Sequence, residues 1–215
     1  RTAGIGSPDE LIDAQPSKLY VSEREDVLAC LNQSRFTAES YKNQRGHAFI
    51  VAGSPDYTGA AVMCGNAAMR SGAGLVTMCV PASCKTEIAS RSLPEVIVKA
   101  IDDAGGEVAG HAFETLRENI ERADAILVGC GLSATDKGVE KLVREIVGNR
   151  TRPVVVDAGA LWFLDPMLRK PDREEGLSAP VPAYALADAR ASATDLPRSP
   201  LVLTPHEGEF LRLLG

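Results

Sequence analysis

Aromatic residues make up only 5% of the 215-residue chain, and no run of Lys or Arg occurs anywhere in it. A surface that stacks bases needs the first and one that tracks phosphates needs the second, so no nucleic-acid partner is expected. The formal net charge of −6 at pH 7 points the same way. No apolar run approaches the length of a membrane span, and no charged segment leading into an apolar core opens the chain, so no membrane partner is expected either. The five cysteines, Cys30, Cys64, Cys79, Cys84 and Cys130, show neither C-x-x-C nor Cys/His metal spacing. Free thiols in a reducing cytoplasm are the simplest reading of such an odd set, and a cytoplasmic location follows. Two common nucleotide cradles are absent as well. No Lys-Ser/Thr follows a glycine loop, which excludes a P-loop, and no G-x-G-x-x-G follows a strand.

What is present is an ordinary globular balance, with 45% hydrophobic and 24% charged residues. The length allows one domain or most of one. Residues 1–46 are polar and irregular apart from a short amphipathic piece around 21–31, and read as a lead-in or linker. From His47 onward, strand-like and helix-like segments alternate. Strands are expected at 47–52, 74–80, 95–100, 123–128, 153–156 and 201–203, and helices at 58–71, 112–122, 137–147, 158–164 and 207–214. Near-continuous apolar strands in such an alternation predict a mainly parallel sheet covered on both faces. Residues 169–200, rich in Pro, Ala, Asp and Arg, break the rhythm and read as an insertion.

The chemistry-bearing residues gather where these strands end. Gly53-Ser54-Pro55-Asp56-Tyr57-Thr58-Gly59-Ala60 joins a strand to a helix whose first-turn amides suit an anion, with Thr58 as the expected N-cap. Gly129-Cys130-Gly131-Leu132-Ser133 is a second strand end, where glycine permits either a tight turn or a flat ring against the main chain. Asp157, in Val156-Asp157-Ala158-Gly159, either caps the next helix or faces a crevice to orient a phosphate or a metal-bound water. Thr204-Pro205-His206-Glu207-Gly208-Glu209 has the spacing of a capping box between Thr204 and Glu207, with Pro205 at the first helical position. That box leaves His206 available to a ligand, while Glu209 suits the positive end of the helix dipole. In open α/β sheets, ligands bind outside the carboxyl ends of the strands, so these four segments are expected to converge there.

Taken together, and with Arg70-Ser71-Gly72-Ala73-Gly74-Leu75-Val76-Thr77 between the first two, these motifs resemble the carbohydrate-kinase-like NAD(P)H-hydrate dehydratases. The resemblance covers residues 46–215. It implies a ribokinase-like three-layer α/β sandwich, incomplete in this chain, with 47–215 as the N-terminal part of the dehydratase domain. It also implies a repair reaction in which hydrated NADH or NADPH is dehydrated at the expense of ADP or ATP, with Mg2+. Phosphorylating the ring hydroxyl would create a good leaving group, which the electrons of the ring nitrogen then expel. The residues it marks for substrate contact are Tyr57, Gly59, Ala60, Gly131 and His206, with Asp157 and Glu209 in the phosphate or metal region. Assembly into a homo-oligomer is implied for the full-length protein.

Two features depart from the family pattern. Cys130 stands where the family usually has Pro. The family's Lys-Gly-x-x-Thr loop and its Gly-Thr-Gly-Asp segment, which carries the catalytic aspartate, would lie beyond Gly215. No catalytic residue is therefore expected within this chain, and by itself it is expected to be inactive. The start at Arg1 and the stop at Gly215 inside an apparent helix read as cut ends. Ala3-Gly4-Ile5-Gly6-Ser7-Pro8 resembles the closing strand of the epimerase domain that precedes the dehydratase in bifunctional family members. The alternatives are a ribokinase-like kinase of a small vitamin-precursor alcohol and a non-catalytic binding fragment.

Overall fold

The computed structural model describes residues 24–33, 35, 37–104, 106–164, 199–206 and 209. The opening hexapeptide, the 169–200 insertion up to residue 198 and the helix expected at 207–214, Glu209 apart, lie outside the described residues.

A helix, α1 (Arg24–Gln33), and a short 3-10 turn (Lys42–Arg45) precede the first strand. The chain then runs β1 (His47–Val51), α2 (Thr58–Arg70), β2 (Leu75–Pro81), α3 (Lys85–Arg91) and β3 (Val96–Ile101). A two-stranded hairpin, β4 (Asp103–Ala104) and β5 (Glu107–Val108), leads into α4 (Ala112–Arg122), β6 (Ala125–Val128), α5 (Lys137–Gly148), β7 (Val154–Val156) and β8 (Leu201–Leu203). The six long-range strands form one sheet in the order β3-β2-β1-β6-β7-β8, and every neighbouring pair is parallel. The chain builds outward from β1 in one direction, then restarts at β6 and builds the other way. The β1/β6 boundary is thus the topological switch point, where strand ends leave a crevice.

The apolar strands are continuous rather than alternating because both faces of the sheet are buried. In β1, Phe49 and Val51 face one core while Ile50, with Ala52 just beyond the strand, faces the other. Helices α4 and α5 cover the first face. In α5, Val139, Leu142, Val143, Ile146 and Val147 recur at helical spacing and are all buried, which is the pattern of a one-sided surface helix. Helices α2 and α3 cover the second face, where Ala61 and Ile88 pack with Val76, Met78 and Val80. This is the three-layer sandwich expected above.

Two elements are additions to the expected set. Helix α3 is seven residues long with Ile88 as its buried residue, too short to leave a periodic signal. The β4/β5 hairpin turns on Gly106 at φ +92°, with Asp103 Oδ2 accepting the Gly106 N–H at 2.9 Å. Asp103 Oδ1 also accepts from Ser83 N at 3.0 Å. Although desolvation opposes it, these hydrogen bonds hold the Asp103 carboxyl below the ordinary carboxylate range.

Asp136, at the start of α5, is a buried carboxylate, 4% exposed. One oxygen accepts from Gly138 N and Val139 N at 2.7 and 3.2 Å. The other accepts from Val108 N at 2.6 Å, so a single side chain caps α5 and ties it to the hairpin. Asp136→Ala is expected to lower stability by about 2–3 kcal/mol, from the lost cap and the stranded Val108 donor together. Chemical denaturation checks this; Asp136→Asn, which keeps one acceptor, should lose less.

Candidate functional site

All six parallel strands direct their carboxyl ends to one edge, and the four glycine- or aspartate-bearing segments lie there. The contacts between them are made by backbone and by small side chains. Gly53 N donates to the Cys130 carbonyl at 2.9 Å, and Gly129 N donates to the Val51 carbonyl at 3.1 Å. These two bonds lock the loop after β1 to the loop after β6. Gly131 sits at φ +74°, and a Cβ there would lie 2.8 Å from Ala60 Cβ and 2.9 Å from the Tyr57 carbonyl. The missing side chain at 131 therefore lets the two loops meet. Gly129 does the same toward β7, because a Cβ there would fall inside the Asp157 carbonyl.

The structure brings together Tyr57, Ala60 and Gly131 at the switch point. Tyr57 is 63% exposed beside them. Gly59 faces differently: a Cβ added there would meet the Arg91 guanidinium of α3 at 3.9 Å. The helix cap differs from expectation. Tyr57 is the N-cap of α2 and makes no side-chain cap bond, whereas Thr58 begins the helix. The Thr58 hydroxyl donates to Glu87 Oε1 at 2.8 Å and receives Arg91 Nη1 at 3.2 Å. Tertiary partners on α3 have claimed the hydroxyl that local sequence would assign to a cap. First-turn amides such as those of Thr58 and Gly59 have no acceptor within the helix, which leaves this turn suited to an anion.

Asp157 precedes a 3-10 turn (Ala158–Phe163) and makes no side-chain cap bond to it. The capping alternative is thereby corrected. Asp157 Oδ1 accepts the Thr204 hydroxyl at 2.6 Å and Oδ2 accepts the Cys130 thiol at 3.0 Å, so this carboxylate joins the ends of β6, β7 and β8. Cys64 of α2 packs against the same core as Cys130. That neighbouring thiol, burial and the hydrogen bond to Asp157 push Cys130 well above the ordinary thiol range, and Cys130 in turn draws Cys64 below it.

His206 and Glu209 form a reciprocal pair. His206 N donates to Glu209 Oε2 at 2.9 Å, and Glu209 N approaches His206 Nδ1 at 3.5 Å. His206 Nε2 also lies 3.4 Å from Glu209 Oε1, with the imidazole 73% exposed. This is capping-box geometry displaced two residues from the expected Thr204/Glu207 pair, whose Glu207 lies outside the described residues. The reasoning that freed His206 from any capping duty is corrected accordingly. Among the described residues, no cluster of three or more His, Cys, Asp or Glu side chains could hold a metal ion.

A cavity of about 550 Å3 lies at the opposite, amino end of the strands. His47, Thr77, Lys99, Arg122 and Asp124 line part of it, and none of the four segments contributes to it. No described helix is long and apolar enough to cross a membrane.

The doubly wound parallel sheet with its polar segments at one edge is shared with ribokinase-like α/β domains. A ribokinase-like superfamily protein from Enterococcus faecalis superposes with a TM-score of 0.59 at 23% identity, over 83% of this chain and 51% of that one. Residues 48–177 match the carbohydrate-kinase family described as NAD(P)H-hydrate dehydratase, and the chain belongs to that family. A bifunctional NAD(P)H-hydrate repair enzyme from Moorella thermoacetica is 34% identical over 222 residues, which cover 99% of this chain and 35% of that protein. An ADP/ATP-dependent NAD(P)H-hydrate dehydratase from Bacillus subtilis, crystallised with ATP and Mg2+, has a TM-score of 0.56 at 28% identity. It matches over 83% of this chain and 50% of its own. The chain thus spans about a third to a half of the length of these relatives.

Gly131→Ala is expected to cost about 2 kcal/mol, from a non-glycine residue at positive φ and from the collision with the Tyr57 carbonyl. Thermal melting measures the loss, and proteolysis of the 53–60 loop should become faster as the two loops part.

Proposed function

We propose that this chain supplies the dinucleotide side of an NAD(P)H-hydrate dehydratase, which restores hydrated NADH or NADPH at the expense of ADP or ATP. The observation that carries the reading is the junction of Tyr57, Ala60 and Gly131 at the switch-point crevice, in a chain of this family. The B. subtilis relative, crystallised with ATP and Mg2+, supports the nucleotide and the ion as reaction partners. The described residues do not form a metal site by themselves, so Mg2+ would be held largely by nucleotide phosphates, as is usual for this ion.

In this reading the chain's own residues bind and orient. The first turn of α2 offers N–H donors to the dinucleotide's phosphates. The exposed Tyr57 ring provides an apolar wall for the hydrated nicotinamide. His206 offers an imidazole hydrogen bond at the end of β8, held in place by Glu209. Asp157 fixes the relative positions of three strand ends through Cys130 and Thr204. The nucleotide supplies the phosphoryl group that makes the ring hydroxyl a leaving group. The family's Lys-Gly-x-x-Thr and Gly-Thr-Gly-Asp motifs do not occur in these 215 residues, so the proton-abstracting aspartate is assigned to none of them. The thiols of Cys64, Cys79, Cys84 and Cys130, all free, support a cytoplasmic location. Self-association belongs to the same proposal.

Two measurements test this. The 215-residue chain mixed with hydrated NADH and ATP or ADP is expected to regenerate no NADH, while a version extended through the family's nucleotide segment does. Turnover by the short chain, or none by the extended one, overturns the assignment. In the extended protein, His206→Ala should raise KM for the hydrate by roughly one to two decades, the cost of one buried hydrogen bond of about 1–3 kcal/mol. Its loss of thermal stability should match that of Glu209→Ala, since each removes one side chain of the same cap. An unchanged KM would make His206 structural only.

A further inference from the structure

We propose that the cavity at the amino ends of the strands is a second ligand site, which takes a small organic anion. Lys42, Lys99 and Arg122 hold its acid group, and its compact apolar body lies on Leu75 and Ile97. The volume of about 550 Å3 is that of a small-molecule site. Three elements wall it. The 3-10 turn before β1 supplies Lys42, the sheet supplies Leu75, Ile97 and Lys99, and the last turn of α4 supplies Arg122.

The edge strand opens this space. In β3, Val96 and Val98 pack into the second core, so Ile97 and Lys99 project from the opposite face. Both are exposed there, Ile97 by 43%, and β3 is thus the exception to burial on both faces of the sheet. The register sets Ile97 beside Thr77 and Leu75 beside His47 on that open face. An apolar floor with a polar border results. Lys99 Nζ donates to Asn119 Oδ1 at 2.7 Å, which fixes the ammonium group against α4.

The lining is positive in a chain whose formal net charge is −6. Among the described residues neither Lys42 nor Lys99 makes an ion pair, and the partner of Lys99 is a neutral amide. Arg122 is paired with Glu118 at 2.6 Å. Asp124, the carboxylate in the lining, already accepts the His47 N–H at 2.8 Å. The His47 ring is hydrogen-bonded to Thr77 Oγ1 at 2.9 Å, and burial holds its pKa below the ordinary histidine value, so it adds no charge at neutral pH. Two ammonium groups without carboxylate partners thus line one cavity, and an anion is the ligand that complements them. The site shares no residue with the switch-point crevice and is independent of what that crevice binds.

Titrating the isotope-labelled 215-residue chain with phenyl phosphate, read by its amide resonances, tests the proposal. Saturable shifts are expected over residues 42–47, 75–77, 97–99 and 119–124, and none over 53–60 or 129–133. Inorganic phosphate, which lacks the ring, and benzyl alcohol, which lacks the charge, should each bind more weakly. Lys42→Gln and Lys99→Gln should each weaken phenyl phosphate by about two- to fivefold, whereas Lys85→Gln on α3 should leave it unchanged. Amide spectra matching the wild type elsewhere show that a variant is folded, and the wild-type map decides where one is not. Absent or unsaturable shifts, shifts centred on the crevice, equal binding of either partial probe, or folded lysine variants that bind as the wild type does would overturn the inference.

Discussion

The close approach of main chain to main chain at the ends of β1, β6 and β7 is the constraint on which this crevice depends. Gly129 must lack a side chain because the Asp157 carbonyl occupies the space. Gly131 must lack one because Tyr57 and Ala60 do. With both glycines in place, Gly53 N donates to the Cys130 carbonyl and Gly129 N to the Val51 carbonyl, which ties the two loops together. Main-chain groups of the two turns thus pair with one another, as buried backbone requires. A crevice floor made of backbone is rigid, and its shape does not depend on the rotamer of a flexible residue.

The two cores hold that floor in position from either side. Helices α4 and α5 press on one face of the sheet and α2 and α3 on the other. Asp136 couples α5 to the β4/β5 hairpin. On the second face, the Thr58–Glu87–Arg91 cluster binds the start of α2 to α3. The same contacts that stabilise the sandwich therefore aim the first turn of α2 at the crevice. Asp157 adds a cross-strand tie through Thr204 and Cys130. The Cys130 thiol supplies one of these two bonds, at 3.0 Å from Asp157 Oδ2.

Membership of the hydrate dehydratase family comes from the match over residues 48–177, whereas the proposed division of labour comes from geometry. The described residues carry donors, a ring and a conformationally pinned carboxylate, which suit binding and orientation. The chemistry of phosphoryl transfer and proton abstraction is assigned to motifs these 215 residues do not contain. The amino-end cavity, with Lys99, Arg122 and Asp124 on its wall, is on the far side of the sheet from all of this.

Strand and helix order was readable from residues alone, because continuous apolar runs such as Ile126-Leu127-Val128 and the spacing of Val139, Leu142, Val143 and Ile146 are local signals of burial. Parallel pairing and the location of the four segments at carboxyl strand ends followed from that order. Side-chain partnerships did not. Thr58, Asp157 and Thr204 each have the local chemistry of a helix cap, yet each hydroxyl or carboxylate is engaged by residues at least 27 positions away. A hydroxyl bonds whichever partner packing brings within reach, and sequence spacing records only the near ones. For the same reason Asp136 drew no attention in a polar loop, although the Val108 amide that completes its shell comes from 28 residues upstream. Local periodicity determined which segments fold and which faces they bury. The packed sandwich decided which polar groups meet, because those meetings require distant strand ends to be held within about 3 Å, and only the assembled sheet does that.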